Sequence, residues 1–454
     1  MKTKSVIAVL TLLLGIAAAQ SATTVTATGN GEWNSTVPDQ PWPGGVPPQP
    51  TDNADIEAPF NVTVSTNATV DYIYGSGTVT MGTNATLTIV GSNAGEGTQS
   101  LGLIDTTAPG NTVIYQGNAF FCKHQNYYNL QLVGFGNLFN GEIGVSGDGL
   151  SPMTISGNFI LGGTAGVAQG DMITTMGDLT IGPGSTYDSS CSPVTVMGNT
   201  VVSGTLEDKC GDSVALDDVF NNITINPGGT WNLGDVIEWA VNGSVTNNGS
   251  VIGTGFGTIT FLGTGVIAGN SPLTPPFVSF QGTNEIENTI EVTTNGPDFK
   301  NTIVLDFAHP GEIIVPMSLN MQLFFSGTLN LTNTGPAITR TTTYKFFDAI
   351  GYNDPYGFNT INGPGFGANY SITNDLTIDG TITVVPLTLA AGITNNQITL
   401  SWDSVTFPGF QLQVQTNTAG LAGTNWLDVG ASSSPFTTAV SSTNAAVLFR
   451  LSTE

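Results

Sequence analysis

Thirty-three acidic residues, two histidines and three cysteines are the groups on which this 454-residue chain could build chemistry. Asp217-Asp218 is an adjacent acidic pair, with Asp208 and Asp212 just before it. Two clustered carboxylates can act as acid and base on a glycosidic bond. No Gly-His-Gly and no Arg-x-Lys accompanies this pair to hold an acidic sugar. A solvated turn is the plainer reading. His124 follows Cys122-Lys123 and precedes Tyr127-Tyr128, while His309-Pro310-Gly311 reads as a turn. Arg340 stands among threonines without an acidic neighbour in sequence. No Gly-x-Ser-x-Gly is supported by a histidine, and no glycine-rich loop leads into Lys and a helix. No catalytic residue is therefore assigned.

Metal chemistry is equally sparse. Gly147-Asp148-Gly149 and Asp208, Asp212, Asp217 and Asp218 offer oxygen donors, so calcium is the one ion the composition leaves open. The aspartate-rich calcium nonapeptide repeat is absent, as is any zinc-ligand spacing, and no cofactor is assigned.

The chain begins with Lys2 and Lys4, an apolar run from Val6 to Ile16, and Ala17-Ala18-Ala19 before Gln20. That is the form of a secretory signal peptide over residues 1–19. A membrane anchor is the alternative, but the run is short for a span, and no later stretch is long and apolar enough. The expectation is an exported protein, secreted or held at the cell surface, with no membrane span after cleavage. In an exported chain, Cys191 and Cys210 can form a disulfide whose loop contributes roughly 3 kcal/mol. Cys122 is then left as a small buried apolar residue. Three free thiols are the other reading. The net charge of −25 becomes −27 when Lys2 and Lys4 leave. Such a surface repels phosphate backbones and anionic lipid heads, so nucleic acid and membrane surfaces are set aside as partners.

The elements that would position any site come from one recurring phrase. Val62-Thr63-Val64, a turn, then Thr69-Val70 is followed by Val79-Thr80-Met81 with Thr86-Leu87. Leu179-Thr180-Ile181 with Thr186-Tyr187, and Ile223-Thr224-Ile225 with Thr230-Trp231, repeat it. Strict alternation marks strands with one buried face. So short a phrase cannot bury that face alone, so copies must stack. The fold class expected is all-β: a right-handed parallel β-helix (β-solenoid) with coils of about 20 to 25 residues, then a small antiparallel β-sandwich. A pair of β-sandwiches is the structural alternative. Domains fall at 20–60 (an N-terminal cap), 61–385 (the solenoid) and 387–454 (the sandwich). Asn93 to Leu101 and Leu206 to Val219 read as insertions, and Ser271 to Pro276 as a loop or edge. In the sandwich, Trp402 and Trp426 are expected in the core.

Trp33 and Trp42 precede the first rung. They can lie over the open end of the solenoid, or present a stacking surface to a carbohydrate. Trp33, Trp42, Gly45, Pro47, Asp52, Ala54 and Ile56, leading into Val62-Thr63-Val64, resemble the opening of many exported bacterial β-helix proteins. Tyr344-Lys345-Phe346-Phe347, Tyr356-Gly357-Phe358 and Asp379-Gly380-Thr381-Ile382-Thr383-Val384 resemble the closing segment of autotransporter-associated β-strand repeat proteins. In that segment Asp379-Gly380 would make a tight hairpin turn. The usual Trp-Asp is replaced by Tyr370-Ser371-Ile372-Thr373. The final stretch, with Leu412-Gln413-Val414-Gln415-Thr416-Asn417, Thr424-Asn425-Trp426 and Phe449-Arg450-Leu451, is similar to a fibronectin type III-like terminal module. These resemblances imply an exported structural or adhesive protein whose partners are extracellular glycan or cell-surface matrix. Parallel β-helices of the pectin-lyase-like kind often act on acidic polysaccharide, so a polysaccharide-active or carbohydrate-binding protein is the alternative.

Overall fold

Alternation of a branched apolar residue with Thr or Asn gives each short strand one face to bury and one to leave wet, and parallel stacking satisfies its backbone. The computed structural model describes residues 23–91, 103–117, 122–123, 125–134, 152–168, 172–189, 192–209, 218–234, 238–294, 296–315, 324–349, 358–363, 366–416, 425–430, 434–439 and 446–453. Among them there is no α-helix, only a 3₁₀ turn at Pro43–Gly45. The chain is an all-β parallel β-solenoid followed by small antiparallel sheets. The leader, Asn93 to Leu101, Cys191 and Cys210 lie outside the described residues.

Two units are distinguished, Met1–Gly141 and Glu142–Glu454. In the first, each coil visits up to three parallel sheets. Thr24–Thr26, Asn53–Asp55 and Tyr72–Tyr74 form one. Gly31–Glu32, Asn61–Val64, Thr78–Met81 and Leu103–Asp105 form the next. Asn67–Val70, Thr86–Ile89, Thr112–Gln116 and Asn129–Gly134 form the third. The recurring phrase is laid across two of these sheets, and its halves do not advance equally. Val62 pairs with Val79, its counterpart in the next copy, but Ala68 pairs with Leu87 and not with its counterpart Ala85. Thr69 is likewise the partner of Thr88, not of Thr86. The inward residues Val62, Val64, Val70, Val79, Leu87 and Ile89 are fully buried.

In the second unit the same rule runs longer. Thr154, Thr174, Thr195, Val219, Ala240, Thr260, Ser279, Asp298 and Phe324 occupy successive rungs of one ladder. Phe261, Phe280 and Phe299 fall in register one step inward, and their rings stack at 5.4 and 5.1 Å with interplanar angles of 9° and 2°. Each stacked pair adds about 0.5–1.5 kcal/mol beyond burial. The corner after this ladder demands close approach: a Cβ on Gly282 would collide with the carbonyl oxygen of Gly263. Asn247 is wholly buried at another corner, where its amide donates to the carbonyls of Ser271 and Pro272 (3.1 and 2.8 Å). It thereby fixes the proline-rich segment to the coil, and that segment runs as a loop touching the next rung through a bridge between Leu273 and Ile290.

The closing segment departs from expectation at Phe346. Thr342–Lys345 pairs antiparallel with Thr381–Pro386, which also pairs with Tyr370–Asp375. One residue later Phe347–Ala349 runs parallel to Ile313–Val315. The aromatic run is thus two strands in different sheets. The Phe346 amide, donating to Gly380 (2.8 Å), marks the change. The turn expected at Asp379-Gly380 is a longer loop, 376–380, between the paired Asp375 and Thr381.

After Pro386, two three-stranded antiparallel sheets follow. One contains Ala390–Thr394, Gln397–Ser401 and Phe436–Ala439, the other Leu427–Asp428, Phe410–Gln415 and Leu448–Thr453. Asn395 and Asn396 turn the first hairpin with φ of 51° and 62°, the left-handed geometry a two-residue loop requires. Leu400, Trp402 and Leu412 form the buried core. Trp426 is only half-buried, contrary to the expectation of a core residue. Its ring carries the Arg450 guanidinium at 4.4 Å, and a stacked cation keeps that face near solvent.

Candidate functional site

The threonines of the repeat point outward as their alternation requires. On one sheet of the second unit, Thr186, Thr205, Thr230 and Ser250 are direct partners on four successive rungs. The three threonines are half-buried and Ser250 is exposed. Neighbouring strands repeat at about 4.7–4.9 Å. The result is a line of hydroxyls, each a donor and an acceptor, at a fixed interval. In the first unit Asn67, Thr86, Thr112 and Asn129 make a similar line. Threonine suits both demands, because its branched Cβ favours the strand and its hydroxyl faces water.

The column beside the first is not available in the same way. Asp188, Glu207 and Asn232 run parallel to it near the ends of the same strands, but Asp188 and Glu207 are largely covered. Asp188 accepts the Lys209 amide (3.1 Å), and Glu207 pairs with the Lys209 ammonium (2.5 Å). Of the acidic pair singled out in the sequence, Asp217 lies outside the described residues. Asp218 is buried, contrary to the solvated turn expected. One of its oxygens accepts the Ser189 hydroxyl and the other the Val194 amide, both at 2.9 Å. Its job is to hold a corner between rungs, and only burial could have revealed that. Desolvation, then the charges of Asp218 and Asp188, push the Tyr187 phenol well above its ordinary pKa, so it stays protonated.

Trp33 and Trp42 pack on each other edge to face at 5.1 Å, and the Trp42 indole donates to the Trp33 carbonyl (2.7 Å). They are 2% and 0% exposed. A sugar platform needs a free ring face, so burial takes these two indoles out of that role and leaves them as packing for the first coils. Cys122 is buried against Tyr127 (3.4 Å), and desolvation pushes its thiol up to about 12 against the opposing pull of the Tyr127 and Tyr115 hydroxyls. His124, Asp148 and Asp212 fall outside the described residues. Among the described residues no group of three or more His, Cys, Asp or Glu is arranged to hold a metal ion.

One constellation was not legible in the sequence. Asp306, His309, Glu285 and Glu287 meet on adjacent coils. His309 Nδ1 lies 3.4 Å from Asp306 and 3.9 Å from Glu287. Asp306 is buried; burial works to raise its pKa, but the Thr334 hydroxyl, the Ala308 and Thr334 amides and His309 together hold it below the usual carboxylate range. Glu285 is pushed up, first by desolvation, then by the charges of Glu287 and Asp306. Carboxylates pushed apart in this way are a mark of acid–base pairs. Here, however, Asp306 spends its oxygens on the chain: Oδ1 accepts Ala308 and Thr334 amides at 3.0 Å, and Oδ2 accepts the Thr334 hydroxyl. The unit therefore reads as a clasp between coils, with Glu285 as an acid on its outer side.

No family model, no curated protein and no solved structure matches this chain.

Proposed function

We propose that the protein is an exported structural or adhesive β-solenoid, secreted or held at the cell surface, whose outward hydroxyl and amide lines contact extracellular glycan or matrix. The observation that carries this reading is the in-register line Thr186, Thr205, Thr230 and Ser250. A rigid ladder presents its hydroxyls already ordered, so an extended polyol chain meets them without the entropic cost of arranging them. Export rests on the leader at residues 1–19. The likeness to exported bacterial β-helix proteins, to the closing segment of autotransporter-associated repeats and to a fibronectin type III-like end supports a surface role, with the terminal module as a retention or spacer unit. A pectin-lyase-like relationship belongs to the same proposal.

The test uses the mature chain with particulate cellulose, chitin and cell-envelope material in co-sedimentation. Wild-type protein is expected to be retained by at least one of them. The double variant Thr205→Val, Thr230→Val keeps shape and strand preference and removes two hydroxyls; its retention should fall about tenfold with an unchanged melting temperature. Absence of retention on every material, or equal retention of the variant, would sink the reading. Polysaccharide cleavage is the rival, favoured by the opposed shifts of Glu285 and Asp306. It requires release of reducing or unsaturated ends that disappears in Glu285→Gln.

A further inference from the structure

Among the described residues, each of the two sheets after Pro386 has two outer edges, and the chain guards only one edge of each. A sheet edge carries unpaired N–H and C=O groups, and charges, prolines or a covering segment keep stray strands away from it. The solenoid does this at Ser250–Ile252, where the Thr274 hydroxyl of the proline-rich segment donates to the Val251 carbonyl. In the module, Leu427–Asp428 carries the Asp428 carboxylate, which accepts the Gln413 amide (2.9 Å). Phe436–Ala439 is entered through Pro435. Ala390–Thr394 and Leu448–Thr453 contain no lysine, proline or acid. Among the described residues no backbone hydrogen bond meets the outer edge of either. Arg450, the one charge on them, is held over Trp426 and on Gln413.

The guarded edges share one side of the module. Val429, just past the first of them, still donates to the Leu412 carbonyl (2.9 Å). The Ser434 hydroxyl, just before the second, already accepts the Trp402 amide (2.8 Å). The chain thus crosses between the sheets there, over 429–435, and leaves the open edges on the other side. On that open side the cover of the core gives out. Register sets Ile393 opposite Ile398 and Ala391 opposite Leu400, on the core face of the sheet. Leu400 is 2% exposed, yet Ile393 is 70% exposed, as are all its strand neighbours to a like degree of class. The turn fixes where the backbone points. Residues flanking a two-residue hairpin loop exchange both their hydrogen bonds. Thr394, Gly392 and Ala390 therefore turn to Gln397, Thr399 and Ser401, while Ala391 and Ile393 aim N–H and C=O at the free edge.

We propose that this open side pairs edge to edge with a second copy of the chain, as a two-fold dimer. An axis normal to both sheets brings each open edge to its own copy at once, a self-complementary contact that a foreign strand on one edge does not match. With the axis at Gly392, Ala391 meets Ile393 of the second copy, and each such pair exchanges both its main-chain hydrogen bonds. The exposed Ile393 is then covered. Charge favours the same occupant. Residues 387–454 hold only Asp403, Asp428 and Glu454 against Arg450, on a chain of net charge −25. A second copy therefore meets the least repulsion here. The open side shares no residue with the threonine line, so failure of either reading leaves the other in place.

Sedimentation of the mature chain over a range of concentrations tests the proposal. A contact of this size belongs to the small, reversible class of interface, so the dimer should build up between about 1 and 200 μM. Ile393→Lys puts a charge on the edge and should weaken association about tenfold or more. The side chain is exposed, so the variant should melt with the wild type at 70% exposure of that residue. Leu427→Lys, the like change on the guarded side, should leave association as it was. Gly392→Cys adds a second readout, because a Cβ there meets nothing within 4 Å. Facing positions at such an axis lie about 4.5 Å apart, within disulfide range, so oxidised glutathione should link two copies of this variant and not of the wild type. The proposal is overturned if the wild type stays monomeric throughout, if Ile393→Lys associates equally, or if Leu427→Lys weakens association as much. A dimer that Gly392→Cys fails to link pairs by another surface and overturns it too.

Discussion

Phe280 ends a strand and Trp402 directly follows one, and both are large buried aromatics, yet they are held differently. Phe280 has one phenylalanine ring stacked above it and another below, each supplied by a neighbouring coil at the same register. Trp402 belongs to a core of three buried residues, ringed by half-buried neighbours such as Leu389, Val429, Phe436 and Phe449. In the coils burial is additive along the stack, so each rung is stabilised mainly by its two neighbours. In the terminal module burial is collective and thin, as expected when few residues share one small core. The difference teaches where function can be carried: the coils offer a repeating surface built rung on rung, and the module offers a small surface over a thin core.

The largest effect expected concerns access to the coil interior. Cys122, buried with its thiol held near 12, should alkylate about a hundredfold or more slower in the native chain than in the unfolded chain at pH 8, by timed mass spectrometry. Comparable rates would mean the first unit opens readily and would erase the contrast with the module.

Next come the two aromatics themselves. Phe280→Ala should cost about 3–5 kcal/mol in the denaturant transition of the coils. Trp402→Ala should cost the module a similar amount while hydrogen exchange in residues 258–299 stays as in wild type. If Trp402→Ala unfolds the coils in the same step, the two regions are one cooperative unit.

Asp306 sharpens the picture by pH. Its folded pKa lies below that of an unfolded aspartate, so its contribution is full above about pH 4 and is lost as pH falls through the folded value. Asp306→Asn should cost about 1–3 kcal/mol at pH 7 and flatten the acid limb of the stability curve. A limb unchanged by the substitution would show that other carboxylates set it. The smallest effect belongs to the module: Arg450→Ala should cost about 0.5–1 kcal/mol in thermal melts through loss of its place on Trp426.

The strands and their inward residues were legible because a period of two is local. Val62, Val64, Leu179 and Ile181 are buried where alternation put them. Register was less legible, because it depends on turn lengths that sum over a coil. The shift that pairs Thr69 with Thr88 is invisible in the phrase itself. Asp218 misled for the same reason: an acidic pair between two apolar runs looks like a turn until the next rung covers it. Trp426 looked like core because its strand alternates, but the arginine stacked on it comes from the last strand of the chain, Leu448–Thr453. The clasp around Asp306 brings residues from separate coils together, and no spacing in the sequence encodes that meeting.

The phenylalanine ladder has one more consequence. Ile259 faces Val278, and Phe261 faces Phe280, so the chain between equivalent points is one whole coil. Gain or loss of such a segment would return every side chain to an equivalent place, with rings again meeting rings. Gain or loss of a fraction of it would turn part of the inner surface outward. Heredity can therefore lengthen or shorten this molecule in whole steps, much as one adds or removes a tread from a stair.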